Sequence, residues 1–309
     1  MQQTTSVLVM VPPVDFAFNT QTGADNGFQH QLSLSHQQVQ QQAMAEFEQM
    51  VSTLNDAGLE ILVFHQPQNP HKPMPDAVFP NNWFTTRDDG TLSLYPMATQ
   101  NRQWEVQGQA LSQFLQLKGY TTRAIEDIRT QAQEGEYLEG TGVMVFDHPR
   151  KRIYAARSKR CHGRLLAHYA KTYDYQLYDF DTQLSSGEPV YHTNVMMSVG
   201  EGVAVICDEV IPTQQRGAIV AALKQHHDVV HLSEAQLSQF CGNILQVRNR
   251  DGESLMLMSQ SAYDGFTDAQ KAILSQHSKL LPCAVPTIEQ IGGGSVRCML
   301  AEVFLPYNT

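Results

Sequence analysis

The feature that most constrains this 309-residue chain is a repeat with a period of about fifty residues. Five segments each begin with a polar or glycine-containing stretch and continue as an apolar run; in the first four, a turn and a second apolar run follow. Equivalent positions are 82, 141, 194, 243 and 295, with steps of 59, 53, 49 and 52 residues. A near-constant period of this size is typical of repeat architectures.

Each repeat predicts a β-hairpin, because apolar runs of strand length flank turn residues. The predicted first strands are 81–86, 140–146, 192–198, 241–247 and 293–300, and the predicted second strands are 91–95, 152–155, 203–206 and 254–257. The N-terminal run 7–11 is available to complete the fifth unit. Helical periodicity predicts helices over 33–54, 104–117, 213–223 and 267–274.

Hairpin plus helix, repeated five times, predicts a closed α/β propeller that forms a single domain over residues 1–309. Closure removes exposed sheet edges and leaves a central channel. The five strand starts are expected to lie around that channel. Because the polar residues of each repeat occur at those starts, the channel is the expected place for a functional site.

The charge of the chain limits its partners. A formal net charge of −10 disfavours nucleic-acid and anionic-membrane binding, since both need a basic surface. Residues 1–71 contain no Lys or Arg, which argues against a secretory signal. Five widely spaced cysteines without a C-x-x-C pair suggest reduced thiols and a cytoplasmic setting. The sequence leaves the oligomeric state open, a homo-oligomer included.

A metal site is not expected. His226, His227 and His231 are the most suggestive cluster, but they lack the paired histidines and carboxylate that metallohydrolases use. The cysteines show no zinc-like spacing with histidine either.

Cys298 is the candidate nucleophile. It follows the glycine run 292–294 within a predicted buried strand, and Arg297 beside it offers a cation that favours the nucleophilic thiolate. The glycines are expected to leave clearance for a substrate's planar head group. The alternative for any single cysteine is a buried structural residue.

An ordered set of motifs along nearly the whole chain resembles the guanidino-group-modifying enzymes, which include arginine deiminase, dimethylarginine hydrolase and the amidinotransferases. The strongest overall likeness is to the citrulline-utilisation hydrolases. The family fold is the pentein, a five-bladed α/β propeller. The residues that carry the resemblance are Pro75 to Asn82, Glu139-Gly140, Ser158-Lys159-Arg160, His192-x-Asn194 and Gly292 to Cys298.

The resemblance implies that Cys298 is the nucleophile, that His192 is the general acid and base, and that Glu139 hydrogen-bonds the nitrogen end of the substrate head group. No metal or organic cofactor is implied. These residue types suit the chemistry, because attack on a resonance-stabilised carbon needs a strong nucleophile and expulsion of an amine needs a proton donor.

At two positions the chain has an amide where better-known relatives have an acid, namely Asn82 and Asn194. Two carboxylates suit a guanidinium cation, which only donates hydrogen bonds, whereas an amide both donates and accepts. The substitutions therefore favour a neutral ureido group, as in citrulline. The expected reaction yields ornithine, carbon dioxide and ammonia through a covalent cysteine thioester.

Further substrate contacts are expected from Phe79, Arg160 and Asp76. Arg160 is a candidate anchor for an α-carboxylate, and Asp76 is expected either to hold the α-amino group or to cap a turn. Arg157 is expected to be a surface charge. The polar segment 15–27 is expected to be either a lid over the site or a passive connection.

Other functions stay open at this point. The same residues serve an arginine deiminase or a dimethylarginine hydrolase, while an amidinotransferase is disfavoured because nothing specifies an acceptor amine site. A protein of another class, a non-catalytic binding propeller, would not require the cysteine, histidine and glutamate together.

Overall fold

Each predicted hairpin is present, and each is extended by a third strand that the sequence pattern does not predict. The computed structural model describes residues 1–308 and contains five three-stranded sheets, here called blades 1 to 5. In every blade the central strand pairs antiparallel with one neighbour and parallel with the other. The strands are Phe84–Thr86, Thr91–Leu94 and Ala124–Asp127 in blade 1; Val145–Asp147, Arg152–Ala156 and Gln176–Phe180 in blade 2; Met197–Val199, Val203–Ile206 and Asp228–His231 in blade 3; Leu245–Arg248, Ser254–Ser259 and Lys279–Cys283 in blade 4; Ala301–Glu302, Val7–Met10 and Glu60–Val63 in blade 5.

A helix connects the central strand of each blade to its parallel partner, as a parallel crossover requires. The predicted helices are confirmed, with small shifts at their ends, and His36–Asp56 begins at a capping box between Ser35 and Gln38. The helix of blade 2 is not predicted. The five connecting helices are Gly108–Leu117, Gly163–Thr172, Thr213–Lys224, Asp268–His277 and His36–Asp56; shorter helices are Gln100–Gln103, Glu234–Leu237, Gln260–Gly265 and Pro286–Gly292.

Adjacent blades share their buried cores, and this closes the ring. One apolar cluster joins blade 5 to blade 1, with Val9 and Leu62 packed among Phe84 and Leu92. Further clusters join blades 1 and 2, blades 2 to 4, and blades 4 and 5. The strand Ala301–Glu302 pairs with Val7–Met10, so both ends of the chain build blade 5. The predicted α/β pentein fold is confirmed.

The predicted strand starts are not strands but short helical turns that precede the first strand of a blade. The turns are Pro80–Asn82, Gly140–Val143, Thr193–Val195 and Val296–Met299, with an irregular turn at residues 238–242 in the fourth repeat. Short polar residues, Gly and Pro compete with strand pairing, which explains the difference. Cys298 therefore lies on a helical turn, and its predicted place in a strand is wrong.

Glycines let these inner turns approach each other across blade boundaries. A Cβ on Gly242 would lie 2.4 Å from the carbonyl oxygen of Val195, and one on Gly140 would lie 2.6 Å from that of Asn81. Both distances are far below van der Waals contact. The lack of a side chain at these positions is thus a packing requirement at the centre of the ring.

Over residues 1–308, no helix combines the length and the apolar character that crossing a bilayer requires.

Replacing Gly242 with Ala should destabilise the fold by about 1–3 kcal/mol, because the new methyl group meets backbone atoms that cannot move aside. Urea unfolding measures the change in the free energy of unfolding. The control is Gly217→Ala in the exposed face of the helix Thr213–Lys224, where nothing lies within 4 Å of the new Cβ. That variant should gain about 0.5–1 kcal/mol. Equal stability of Gly242→Ala and wild type would contradict the packing argument.

Candidate active site

One small cavity lies beside the inner turns and is here called the site cavity. It is lined by six of the eight side chains that the sequence predicts at the site. These six are Asp76, Phe79, Asn82, Arg160, His192 and Cys298. Its volume is about 20 Å³, room for about one water molecule. The remaining lining residues are Thr22, Asn26, Arg102, Tyr191, Gly292 and Gly294.

Two amides approach the sulfur of Cys298. Asn243 Nδ2 donates to Sγ at 3.2 Å, and Asn194 Nδ2 donates at 3.5 Å. Asn243 Nδ2 also donates to the backbone oxygen of Asn194 at 2.9 Å, which links the two amides. Two N–H donors directed at one buried sulfur suit a sulfur that carries negative charge.

These contacts revise the expected role of Asn194. It touches the sulfur and does not line the site cavity, so the structure does not place it against a substrate head group. The sequence pattern assigns Asn243 no contact with the sulfur. Its amide stands at the repeat position equivalent to Asn82 and Asn194, and this equivalence is the signal that identifies it.

Arg297 does not serve the sulfur as expected. Its guanidinium donates to the backbone oxygen of Leu300 at 2.8 Å and to Glu302 at 2.9 Å. It lines a different cavity, which it shares with Glu302. Adjacent side chains on a helical turn point in different directions, which explains why neighbours in sequence are separated here.

Glu139 is a fully buried carboxylate whose acceptor positions are filled by the protein. Oε1 accepts from the backbone N–H of Ala98 at 2.9 Å, and Oε2 lies 2.7 Å from His192 Nε2. Arg160 Nη1 donates to both oxygens at 3.2 Å. A carboxylate has about four acceptor sites, so none is left for a substrate. The expectation that Glu139 contacts the head group is therefore revised: it positions His192.

The environment keeps Glu139 ionised. Burial alone would raise its pKa, but the charge of Arg160 and the hydrogen bond and charge of His192, followed by the charge of Arg102, lower the pKa well below its usual range. An ionised carboxylate can only accept, so the Nε2 of His192 must carry the proton.

His192 thus has its free lone pair on Nδ1 when the ring is neutral. Burial lowers the pKa of His192 from its ordinary value, although the hydrogen bond and charge of Glu139 raise it in part. The ring stacks on Tyr191 with centroids 4.4 Å apart, which fixes its plane. A neutral histidine with its orientation held by a carboxylate is arranged as a general base.

Arg160 is ion-paired on both sides. Besides Glu139, it binds the carboxylate of Asp25 in a two-point contact, with Nε donating at 2.9 Å and Nη2 bonded to the other oxygen. Its side chain is buried. In this conformation the expected anchor for an α-carboxylate already holds one, that of Asp25. Arg157, by contrast, is an exposed surface charge paired with Asp179 and Asp181, as expected.

Asn82 is held by a buried ion pair that the sequence did not reveal. Arg102 Nη1 donates to Asn82 Oδ1 at 2.6 Å, and Glu105 binds Arg102 at 2.9 Å. Burial raises the pKa of Glu105 to about 7 even though Arg102 opposes this shift. Asn82 Nδ2 is buried and has no hydrogen-bond partner in the described part of the chain.

Asp76 anchors the N-terminal segment with one carboxylate oxygen and leaves the other free. Its Oδ2 accepts from Asn19 Nδ2 at 2.7 Å and from Thr22 Oγ1 at 2.9 Å, which fixes the N-terminal segment. Its Oδ1 is buried and lacks a partner among residues 1–308. Burial raises the pKa of Asp76, because no cation contacts the carboxylate directly. This oxygen is available to a substrate N–H.

The glycine run packs against an aromatic ring and does not border open space. Added Cβ atoms on Gly292 and Gly294 would lie 2.7 and 2.9 Å from the ring of Phe79. Gly293 has a φ of +63°, and its Cβ would meet Asn26 and Gln29. The expected clearance for a substrate head group is therefore corrected: Phe79 packs against these glycines and forms a wall of the cavity.

The N-terminal segment, residues 15–29, covers the site; we call it the covering segment. Asn19 and Thr22 bind Asp76, and Asp25 binds Arg160. Gln29 Nε2 donates to the backbone oxygen of Gly292 at 3.0 Å. On its outer side lies a groove of about 930 Å³ that shares Asp25 and Tyr191 with the site. An amino acid is much larger than the site cavity, so its entry needs displacement of this segment.

The histidines considered for metal binding have separate partners. His227 Nδ1 lies 3.1 Å from the backbone oxygen of Leu223, and His231 Nδ1 lies 2.8 Å from Asp208. Among the residues that the structure describes, no three His, Cys, Asp or Glu side chains converge as a metal site.

Comparison with known families gives one match over nearly the whole chain. The family described as N,N-dimethylarginine dimethylhydrolase, eukaryotic, matches residues 12–305. No curated protein matches the chain in sequence.

Solved structures share the fold at low sequence identity. The N-terminal domain of ArgZ, a cyanobacterial arginine dihydrolase solved with substrate, has a TM-score of 0.71 and 15% identity, with 97% of this chain and 99% of that chain covered. AgrE, solved with ornithine and NAD+, has a TM-score of 0.73 and 16% identity over 98% of this chain and 40% of that chain. A dimethylarginine hydrolase variant from Pseudomonas aeruginosa complexed with citrulline has a TM-score of 0.65 and 12% identity, over 97% of this chain and 99% of that chain.

Loosening the covering segment should expose Cys298. Asp25→Asn removes the charge that holds Arg160, and we expect iodoacetamide to label Cys298 about tenfold faster, as loss of one charged hydrogen-bonded contact predicts. Peptide mass spectrometry identifies the labelled residue. The other four cysteines should stay unmodified in the native protein, because burial raises the pKa of each thiol to about 12.

Asp181→Asn is the matched control, since it removes one charge that contacts the exposed Arg157 without touching the site. It should leave the labelling rate unchanged. Equal rates for Asp25→Asn and wild type would show that Asp25 does not hold the segment closed.

Proposed function

The chain belongs to the N,N-dimethylarginine dimethylhydrolase family, and from this premise we propose that it is a cysteine-dependent hydrolase that converts citrulline to ornithine, carbon dioxide and ammonia. The observation that carries the proposal is one cavity lined by Cys298 and by a His192 that an ionised Glu139 orients. Nucleophile, base and orienting group are the parts that covalent catalysis by cysteine needs.

In the proposed first step, His192 Nδ1 takes the thiol proton of Cys298 while the sulfur adds to the ureido carbon. The amides of Asn194 and Asn243 stabilise the charge on sulfur, and Glu139 stabilises the imidazolium. His192 then gives its proton to the δ-nitrogen, the carbon–nitrogen bond breaks, and ornithine leaves. The cysteine now carries a carbamoyl group as a thioester.

In the second step, water attacks the thioester carbon and His192 Nδ1 takes its proton. The carbon–sulfur bond breaks, and the imidazolium returns a proton to the sulfur. The carbamic acid that leaves decomposes to carbon dioxide and ammonia. The sum is citrulline plus one water in, and ornithine, carbon dioxide and ammonia out, so His192 and Cys298 end in their starting protonation states.

Support for a neutral head group comes from hydrogen bonding at Asn82 and not from net charge. The two arginines beside the cavity, Arg102 and Arg160, are already paired with carboxylates of the protein. The free N–H donors of Asn82 match the oxygen of a ureido group, an acceptor that a guanidinium lacks.

The α-ammonium and α-carboxylate groups of the substrate have matching partners once the covering segment opens. The α-ammonium is proposed to bind Asp76 Oδ1, which lacks a partner, and thereby to offset the burial of that carboxylate. The α-carboxylate is proposed to replace Asp25 on Arg160, because both present two oxygens to the same guanidinium fork. The covering segment then acts as a lid whose closed state is held by a substrate-like group.

A dimethylarginine hydrolase or arginine deiminase is the nearest alternative, and the family name supports the first. Either enzyme would need an acceptor at the position of Asn82, where the amide has its oxygen bound to Arg102 and only its N–H donors free. A non-catalytic binding protein would need neither the oriented His192 nor the amides on the sulfur.

Purified protein should release ornithine and ammonia in equal amounts from citrulline. Amino-acid chromatography with an ammonia assay measures both products. Cys298→Ala should abolish turnover, with an unchanged circular dichroism spectrum, because no other thiol lines the site cavity. Arginine or dimethylarginine turned over in preference to citrulline would reject the proposed substrate, and turnover by Cys298→Ala would reject the nucleophile.

The acid limb of kcat/KM should report His192. Because burial lowers the pKa of His192 from its ordinary value of 6.5, the neutral base is lost as pH falls through the lowered value, and the midpoint of the acid limb should lie below pH 6.5. Glu139→Gln should lower kcat roughly 10²–10⁴-fold, since the amide no longer fixes the proton on Nε2.

Glu136→Gln is the matched control for that change, because Glu136 also contacts an arginine and a histidine, Arg164 and His162, but away from the site. Its kcat should change by no more than about twofold. An acid limb above pH 6.5, or equal effects of the two glutamate variants, would contradict the assigned role of Glu139.

A further inference from the structure

Tyr191 stands directly before the proposed base in the chain, and the proposed reaction steps assign it no part. Its side chain is buried and lines both the site cavity and the groove outside the covering segment. A tyrosine has an apolar ring face and a polar end, so the two can contribute separately. Here the ring and the hydroxyl contact different parts of the site.

The hydroxyl of Tyr191 connects the base to the segment that carries the nucleophile. It donates to the backbone oxygen of Gly293 at 2.8 Å, in a buried contact between residues 102 positions apart. Gly293 ends the helix Pro286–Gly292 with a φ of +63°, and the helical turn Val296–Met299 begins shortly after it. One side chain thus touches the ring of His192 and also the entrance to the turn that places the reacting sulfur.

The hydroxyl stays protonated, so it remains a donor and the ring stays neutral. Burial raises the pKa of Tyr191 well above its ordinary value, and negative charge on Cys298 raises it further. A backbone carbonyl can only accept a hydrogen bond, which fixes the direction of the contact with Gly293. The link between base and nucleophile therefore persists over the pH range in which His192 titrates.

The ring of Tyr191 covers one face of the imidazole of His192. The centroids are 4.4 Å apart and the ring planes differ by 30°, which is a stacked arrangement. The face of an aromatic ring carries partial negative charge and attracts a cation within about 6 Å of its centroid. In the proposed reaction His192 is neutral at rest and becomes an imidazolium in both steps, so this attraction arises only after the proton has moved.

The ring of Tyr191 and the carboxylate of Glu139 act on different parts of the imidazolium. Glu139 lies 2.7 Å from Nε2, at the edge of the ring, whereas the stacked Tyr191 covers its face. Burial of His192 opposes a positive charge there, because it removes the water that would otherwise solvate the ring. A cation–π contact is strongest in such a desolvated place.

We propose that Tyr191 is a positioning residue that stabilises the imidazolium of His192 with its ring and holds the turn of Cys298 beside the base with its hydroxyl. This inference rests on the proposed function, since it assigns Tyr191 to the proton transfers of that reaction. The two contributions are separable. The ring favours transfer of the proton, and the hydroxyl keeps sulfur and base at their reacting distance.

The ring is tested by comparing phenylalanine with pentafluorophenylalanine at position 191. The two side chains have similar shapes and both lack the hydroxyl, but fluorination removes the negative ring face. NMR titration of His192, assigned by its absence in His192→Gln, needs no substrate. We expect the acid dissociation constant of His192 to be about tenfold larger with the fluorinated ring, as loss of a desolvated cation–π contact predicts. The charged and titratable groups around His192 are the same in both proteins; they are Glu139, Arg160, Arg102, Asp76 and Cys298.

The hydroxyl is tested by comparing Tyr191→Phe with wild type in citrulline turnover. Loss of one buried hydrogen bond should lower kcat about three- to tenfold. KM should stay within about twofold, because the hydroxyl is bound to Gly293 and not directed at the substrate. Tyr154→Phe is the matched control: Tyr154 is also buried and stacks on Tyr178 with centroids 5.1 Å apart, but it lines neither the site cavity nor the outer groove. Its kcat should stay within about twofold of wild type.

The outcomes are distinguishable. Equal dissociation constants of His192 with the two rings overturn the role of the ring, and difluorophenylalanine, which should give a smaller change in the same direction, decides in the same way if the pentafluoro protein does not fold. A wild-type kcat in Tyr191→Phe, or an equal loss in Tyr154→Phe, overturns the role of the hydroxyl. If wild-type protein releases no ornithine from citrulline while fluorination still acidifies His192, the proposed function fails and the contact between ring and imidazolium stands.

Discussion

The buried carboxylate of Glu139 is the interaction on which the rest of the site depends. Burying an unpaired carboxylate costs several kcal/mol, and here Arg160, His192 and the Ala98 N–H offset that cost together. Each partner comes from a different part of the ring. Through them Glu139 fixes the proton on His192 Nε2 and holds one side of Arg160, whose other side binds Asp25 of the covering segment. Base orientation and closure of the site therefore share one anion.

A second buried ion pair, Arg102 with Glu105, organises the opposite wall. It contributes no group to the reaction itself, but it determines how Asn82 faces the cavity. The two pairs leave the cavity one free donor, Asn82 Nδ2, and one free acceptor, Asp76 Oδ1. Such a site complements a head group that has both an acceptor and donors, because every unpaired buried polar atom then gains a partner.

The repeat predicts the ring, and the resemblance of the motifs to a known family predicts most of the site residues. Because the starts of the repeats meet at the centre of a closed ring, His192 and Cys298 come into one cavity. Local details of the site could not be predicted from the sequence. Strand periodicity cannot distinguish a buried strand from the helical turn that carries Cys298, because both are apolar and short. The glycine run at 292–294 signals close approach, but only the structure identifies Phe79 as the group that approaches.

The buried pair of Arg102 and Glu105 could not be predicted from the sequence, for a physical reason. Arg102 and Glu105 belong to no repeat position, and charged residues are ordinarily exposed, so their burial depends on tertiary pairing alone. The same holds for the contact between Asp25 and Arg160, which joins residues far apart in the chain.

The central claim is that the sulfur of Cys298 carries the carbon of the substrate during turnover. Acid quenching of the enzyme during citrulline turnover, followed by peptide mass spectrometry, tests this most directly. The account predicts a carbamoyl group on the peptide that contains Cys298, present during turnover and absent once citrulline is exhausted. Turnover with the carbamoyl group on a different cysteine would contradict it.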